Sequence, residues 1–366
     1  MNVPGSQPSC TLLYPGKQSI ETILGKPARA FDWENPFEQN LLFFGDNLPI
    51  LRAMQPQWHD KIDLIYIDPP FGTGQRFEDR SKQLAYEDPI ADHEYWEFIR
   101  ERVVLLRELL SECGSLYLHI DKKAGHYLKV ILDEVFGPEN FINDLTRIKC
   151  NPKNFSRKAF GNYSDMILYY AKNRDQQIWN PIREPLASAD IERLYPRTDP
   201  QRGPYTTHPL HAPGETRNGD TGQPWRGMTP PKGRHWRYKR AKLEELEQQN
   251  MIEWSSTGNP RKRSFASEHP GKKIQDVWTF KDKGIAYTQY PTEKNHDLLE
   301  RIIAHSSTPD SWVLDAFAGS GGTLATAEKM GRKWVGMDCS PFAIEVAQNQ
   351  LSRISATYRY EIHQES

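Results

Sequence analysis

The sequence predicts an α/β protein in which a doubly wound parallel sheet is interrupted by one large irregular insertion. Three observations predict it. From residue 40 to 140, short apolar runs alternate with helical periods, the order of a parallel sheet with crossover helices. From Pro291 onward the alternation resumes around a glycine turn. Between about 175 and 285 neither period is sustained, and Pro, Gly, Arg and Trp dominate.

Residues 1–39 are polar, carry Pro and Gly, and read as an N-terminal arm without chemistry. Asn40 to Leu48 reads as a strand ending in Gly45-Asp46, with a helix from Pro49 to Met54. Asp46 or Asn47 would cap that helix, and Asp46 reads equally as an acceptor at the sheet rim. Leu64-Ile65-Tyr66-Ile67 is an apolar strand stopped by Asp68-Pro69-Pro70-Phe71-Gly72, because proline cannot donate to the ladder. Open α/β sheets hold ligands at the carboxyl ends of their strands. There Asp68 and backbone carbonyls can accept from an amino group, and Phe71 can stack on something flat.

Gly72 to Asp88 is polar and reads as a mobile lid. Residues 92–112 place Trp96, Ile99, Val103, Leu106 and Leu110 at helical spacing, with Gly114 as the stop. Ser115 to Ile120 reads as a strand, 124–135 as a helix closed by Gly137-Pro138, and Tyr163 to Tyr170 as another strand. His119 and Asp121 end their strand and are candidate catalytic groups, with packing or a turn the favoured reading.

The 366 residues suffice for two domains, or for one with a large insertion. Net charge is -1, so any nucleic-acid contact must come from a local patch. The four cysteines (Cys10, Cys113, Cys150, Cys339) form no CxxC pair, which argues against zinc or a disulfide framework. No apolar run is long enough to span a bilayer, and the N-terminus lacks a signal-peptide layout. The expectation is a cytoplasmic protein without a membrane partner.

The insertion holds such a patch. Arg217, Arg226, Lys232, Arg234, Arg237, Lys239 and Arg240 stand against a single acid, Asp220, with Trp225, His235, Trp236 and Tyr238 interleaved. Arg261-Lys262-Arg263 and Lys272-Lys273 add a second basic group. Cations neutralise phosphates and rings stack on bases, so the pattern points to nucleic acid; a solvated loop surface is the bland alternative. One helical stretch is expected at Ala241 to Gln249.

After a helix over 293–305, Trp312 to Ala318 reads as a strand. Gly319-Ser320-Gly321-Gly322-Thr323 is a glycine loop, Leu324 to Met330 a helix ended by Gly331, and Trp334 to Asp338 the next strand. Ser340-Pro341 opens a further helix. Such a turn brings backbone N–H groups close to a cofactor, and Asp338 lies about 20 residues on, where an acid binds ribose hydroxyls. A dinucleotide enzyme fits only loosely, because Leu324 stands where the last glycine of GxGxxG belongs. The absence of a P-loop lysine argues against ATP hydrolysis.

Together the motifs resemble a known family. Asp68-Pro69-Pro70-Phe71 resembles the catalytic motif of amino-methyltransferases, and Asp315-Ala316-Phe317-Ala318-Gly319-Ser320-Gly321 resembles their S-adenosylmethionine loop. With the catalytic motif first, a basic insertion next and the cofactor motif last, the chain resembles the β group of site-specific DNA methyltransferases. Tyr290-Pro291-Thr292-Glu293-Lys294, Leu118-His119-Ile120-Asp121, Tyr127-Leu128-Lys129, Trp225 and Lys232 to Trp236 extend the likeness. The chain departs from it at Phe71, where the family has Tyr, and at Asn295, where it has Pro.

The resemblance implies a Rossmann-like methyltransferase sheet with circularly permuted motifs. Its divisions are an arm (1–39), a catalytic half (40–174), a target-recognition insertion (175–285) and a cofactor half (286–366). It implies Asp68, Pro69, Pro70 and Phe71 as catalytic residues. Asp46, Thr292, Lys294, Asp315, Phe317, Ala318, Gly319, Ser320, Gly321 and Asp338 are implied as the S-adenosyl-L-methionine site. Arg226, Lys232, Arg234, His235, Trp236, Arg237, Lys239 and Arg240 are implied as contacts to double-stranded DNA. The activated sulfonium makes a metal unnecessary. Asp in the first motif position favours N6 of a flipped-out adenine; N4 of cytosine, and an RNA or protein amide, are the alternatives. Dimers and a separate restriction endonuclease are common in the resembled group.

Overall fold

The structure is a computed structural model describing residues 10–71, 76–78, 84–87, 92–152, 158–282 and 294–363. The chain forms two compact units, Met1–Ile182 with Gln275–Ser366, and Arg183–Ile274.

The first unit is built on a sheet. Its strands in chain order are β1 (Asn40–Phe44), β2 (Ile62–Ile67), β3 (Leu110–Ile120), β4 (Phe141–Ile148), β5 (Ser164–Ala171), β6 (Val277–Thr279), β7 (Trp312–Asp315), β8 (Lys333–Asp338) and β9 (Tyr358–Ile362). Their spatial order is β6-β4-β5-β3-β2-β7-β8-β1-β9. The expectation of a wholly parallel sheet needs one correction, because β5 runs antiparallel to both β3 and β4. No helix separates β4 from β5 among the described residues, and only an antiparallel pair can form without a long crossover. Sequence reading also missed β4, whose inward Arg147 breaks its apolar pattern, and the edge strands β6 and β9.

Helix α1 (Ile20–Leu24) precedes the sheet, and α2 (Asn47–Trp58), α3 (His93–Leu109), α4 (Lys122–Phe136), α5 (His296–Ser306), α6 (Gly322–Lys329) and α7 (Pro341–Arg353) lie between its strands in sequence. In α3, Ile99, Val103, Leu106 and Leu109 are fully buried or nearly so, each contributing about 1.5–3 kcal/mol. Gly114 is not the stop of α3. The helix ends at Leu109 and runs directly into β3, and a Cβ on Gly114 would meet the Ile62 carbonyl at 2.9 Å. Close backbone approach is its reason. Gly137 (φ 89°) closes α4, and Ser340 caps α7 by accepting from the Ala343 amide. The arm docks on this unit: Ile23 is buried, Tyr14 donates to Glu97 and Lys17 pairs with Glu134. Of the expected lid, Arg76–Glu78 and Leu84–Glu87 form an antiparallel pair; the rest lies outside the described residues.

The second unit is less irregular than its sequence. Ile252–Trp254, Pro260–Phe265, Gly203–Pro209 and Arg197–Asp199 form a four-stranded antiparallel sheet in that order, and Arg240–Gln248 is a helix. Trp225, Trp236, Leu243, Leu246 and Phe265 are its core. Strands this short show no readable period.

Candidate active site

Strands β2 and β7 are parallel neighbours, with Leu64 opposite Val313 and Ile65 opposite Leu314. From β2 the chain winds to β3 on one side, and from β7 to β8 on the other. The carboxyl ends of β2 and β7 therefore flank a topological switch point, the place where such sheets bind ligands. Asp68-Pro69-Pro70-Phe71 follows one strand and the Asp315 to Gly321 turn follows the other.

The proline turn is fixed from α3, where the Tyr95 hydroxyl donates to the Pro70 carbonyl at 2.5 Å. Asp68 is largely covered. Its Oδ2 receives Lys294 Nζ at 2.6 Å, and its buried Oδ1 has no hydrogen-bond partner among the described residues. The Lys294 ammonium also lies 4.9 Å from the Phe71 ring centroid. Lys294 was expected at the cofactor, and the structure places it on Asp68. Thr292 lies outside the described residues.

Behind Asp68 is a buried polar chain. His119 is fully buried, and its Nδ1 accepts from the Tyr66 hydroxyl at 2.8 Å. Its Nε2 faces Asp165 at 3.4 Å, so the ring proton belongs on Nε2. Burial holds the imidazole below its ordinary pKa, against the pull of Asp165. Burial alone would raise Asp165, but His119 and Lys149 hold its carboxyl well below the carboxylate range. Burial likewise raises Tyr66. His119 Nδ1 is 4.0 Å from Asp68 Oδ1, outside hydrogen-bond reach. Asp121 caps α4. For His119 and Asp121 the packing and turn readings describe what the structure shows.

Across the switch point, Asp315 is buried, and burial pushes its carboxyl up to about 7, helped by the charges of Asp68 and Asp338. The Phe317 amide donates to it at 3.0 Å. Gly319 (φ 50°) and Gly321 (φ 78°) take left-handed backbone, and a Cβ on Gly321 would lie 2.9 Å from that of Ala347. Ala318 donates to the Met337 carbonyl and Gly319 to Asp338 Oδ2 at 2.8 Å, so Asp338 holds the loop as well as ending β8. Burial raises the Asp338 carboxyl. Ser320 is buried within the turn.

Asp46 caps α2 through the Leu48 amide and pairs with Arg102 at 2.7 Å, leaving it half exposed. Sequence reading missed the groups around it. Arg102 stacks on Phe98 at 3.5 Å, Phe98 lies 6.2 Å from Phe317, and Asn47 donates to the Ala316 carbonyl. A cation among the apolar positions of α3 was the available signal. Asp46, Leu48, Phe98 and Arg102 line a cleft of about 550 Å³, a size suited to a small-molecule ligand.

In the second unit the basic residues divide. Lys232, Arg234, Arg237, Lys239 and Arg240 are exposed. Arg226 pairs with Glu247, Arg240 with Glu244, and Arg237 donates to the Pro209 carbonyl. His235 is bonded to the Gly214 carbonyl. Trp236 is corrected: it is buried, its Nε1 donates to the Gln223 carbonyl, and it packs edge-on against buried Trp225. Neither ring is free to stack on a base. Arg261 is tied to Thr207, and Arg263 to Asp199 and Glu253.

A glycine turn on one strand, an acid ending the next and an acceptor-rich proline turn across the switch point are the layout of a methyltransferase. The DNA methylase family, which groups N6 and N4 enzymes, matches residues 62–349, and the chain belongs to it. It is 40% identical over 355 residues to the type II methyltransferase M.EcaI of Enterobacter cloacae, covering 93% of this chain and 77% of that one. It is 28% identical over 356 residues to the Mod subunit of the type III restriction-modification enzyme StyLTI of Salmonella typhimurium, covering 84% of this chain and 52% of that one. The M1.HpyAVI–SAM complex aligns with a TM-score of 0.46 at 16% identity, covering 85% of this chain and 98% of the other. The chain is a DNA methyltransferase of the N6/N4 family, and its cofactor is S-adenosylmethionine. Among the described residues no helix is long and apolar enough to cross a membrane.

Proposed function

We propose that the chain methylates N6 of adenine in double-stranded DNA at a specific site. The observation that carries this is the β2–β7 pairing, which sets an amine-accepting turn beside a cofactor turn. Asp at position 68 favours adenine over cytosine by the family pattern. N4 of cytosine is the second reading, since the family holds both.

The residues fit the cofactor. Left-handed Gly319 and Gly321 make the tight turn between β7 and α6, and Asp338 ends the next strand beside it. Asp46 stands as an acceptor on the cleft that Phe98 shares, and the Phe98 ring lies 6.2 Å from Phe317. Phe317, Ala318, Gly319, Ser320 and Gly321 would hold the methionine part, Asp338 the ribose and Asp46 the adenine amine. When bound, the cofactor supplies an activated methyl group.

The chain's own work is on the base. An exocyclic amine is a poor nucleophile because its lone pair is delocalised into the ring. Asp68 Oδ1, buried and bare, accepts one N–H. The Pro69 carbonyl accepts the other, since that of Pro70 is engaged by Tyr95. Two acceptors favour a pyramidal nitrogen and stabilise the positive charge developing on it. The nitrogen gains the methyl and sheds one proton by way of Asp68 Oδ1 to solvent, ending neutral, while the spent donor would leave as a neutral thioether. Phe71 stacks on the extruded base.

The exposed cations of the second unit contact DNA phosphates, and the insertion sets the target sequence. The StyLTI Mod subunit belongs by name to a restriction-modification enzyme, which favours a separate endonuclease as functional partner and the cytoplasm as location. The test is long-read sequencing of DNA from a host expressing the chain. N6-methyladenine at one recurrent sequence is expected. N4-methylcytosine would select the second reading, and no methylated base would sink both.

A further inference from the structure

We propose that Lys294 is a positioning residue for Asp68, not a cofactor ligand: it clamps one carboxylate oxygen and thereby aims the other at the target amine. The inference rests on the methyl-transfer reading above. A free carboxylate spins about its terminal torsion, which is broad and roughly two-fold, so either oxygen could face the amine at many angles. Here the rotation is stopped. Lys294 Nζ holds Oδ2 at 2.6 Å, a charge-assisted bond, and both side chains are largely covered.

Among the described residues the other oxygen, the buried Asp68 Oδ1, has no hydrogen-bond donor. His119 Nδ1 lies 4.0 Å from it, outside hydrogen-bond reach, and already accepts from the Tyr66 hydroxyl. An unpaired buried oxygen is costly, and beside a fixed cation at a strand's carboxyl end a vacant acceptor is explained by a donor that arrives with the substrate. The result is an asymmetric carboxylate, with one oxygen saturated by a fixed cation and one reserved for a donor. An exocyclic amine is such a donor.

Lys294 also lies 4.9 Å from the Phe71 ring centroid, so the ammonium ties the acceptor and the proposed stacking ring into one unit. Lys294 stands immediately before Asn295, which caps α5 by accepting from the Asp297 amide, so the base of the lysine is anchored. A lysine held at its base and bonded at its tip is suited to orient another side chain.

The test uses Lys294→Met and Lys294→Arg in the full chain. Three quantities are read: the single-turnover rate of DNA methylation at saturating cofactor and DNA, the KM for DNA, and the dissociation constant of S-adenosylmethionine by calorimetry. K294M should slow methyl transfer about 100-fold, the size expected when a reacting group is misplaced by about 1 Å. Cofactor affinity and KM should change less than about threefold. K294R, which restores a cation, should recover at least a tenth of the wild-type rate even if K294M folds poorly. A K294M that loses cofactor affinity tenfold but keeps its rate at saturation would overturn the assignment and make Lys294 a cofactor ligand. Equal rates in wild type and K294M would overturn it as well. Wild-type chain that methylates no DNA would overturn the function itself, an outcome distinct from either.

Discussion

Asp315 gives the sharpest test of the site's electrostatics. Its carboxyl is pushed up to about 7 from an ordinary 3.8, chiefly by burial and then by the charges of Asp68 and Asp338. In the unfolded chain it titrates near 4. Between about pH 4 and 7 the folded state alone keeps the proton, so stability falls as pH rises through that window. Below it both states are protonated, and above it both are ionised. A shift of about three units is worth about 4 kcal/mol, since each unit is 1.36 kcal/mol. Asp315→Asn keeps the shape and an oxygen for the Phe317 amide but cannot ionise. Urea denaturation of the cofactor-free protein at intervals from pH 4.5 to 8 is the assay. The wild type should lose about 2–4 kcal/mol more than the variant across the window, so the variant should be the more stable at pH 8. Parallel curves for the two proteins would refute the reasoning, for they would mean that Asp315 is ionised throughout.

Further consequences follow from the same geometry. Asp68→Ala should leave S-adenosylmethionine binding within about threefold by calorimetry while lowering methylation by about a thousandfold or more, and retained transfer to DNA would reject the role of Asp68. Arg234, Arg237 and Arg240 changed together to Ala should weaken DNA binding and reduce the slope of log K against log salt by about 3, measured by fluorescence anisotropy. An unchanged slope would make the patch an ordinary surface. Trp236→Ala should act through folding, costing the second unit about 3–5 kcal/mol in a urea melt, because the ring is core. A Trp236 variant of full stability with selectively weaker DNA binding would contradict that placement.

The parts of the fold that were legible are those where one residue type does one job. Two consecutive prolines had to end β2, Ser340-Pro341 had to open α7, and Gly137 had to close α4. The glycine turn announced itself because its φ angles admit little else. What stayed hidden depended on partners remote in sequence. Gly114 looked like a helix stop, yet its constraint is the Ile62 carbonyl on the neighbouring strand. Trp236 looked like a base-stacking ring among arginines, yet Trp225, Leu243 and Leu246 enclose it. Arg147 disguised β4 because its charge is balanced by Asp165 and Asp282, neither of them nearby in the chain. The site followed the same division. The motif that supplies Asp68 was readable from its own residues, whereas the remote groups that engage its neighbours, Tyr95 on the Pro70 carbonyl and Asp165 on His119, were not.

The pairing of β2 with β7 also sets a schedule for biosynthesis. Ile65 finds its partner Leu314 about 250 residues later, so this ladder closes a very long loop. The entropic cost of that closure is about 5 kcal/mol, to be recovered only once β7 and β8 are both available. At about 5–20 residues per second, a ribosome needs some tens of seconds to deliver β7 after β2 has emerged. Throughout that interval one edge of β2 is unpaired and its apolar residues are exposed, the condition in which strands aggregate. Yet until β7 and β8 arrive the Asp68 turn has no cofactor turn beside it, so a chain lacking them cannot modify DNA. Separating the two motifs by so long a stretch of sequence thus makes the arrival of β7 and β8 the condition for activity.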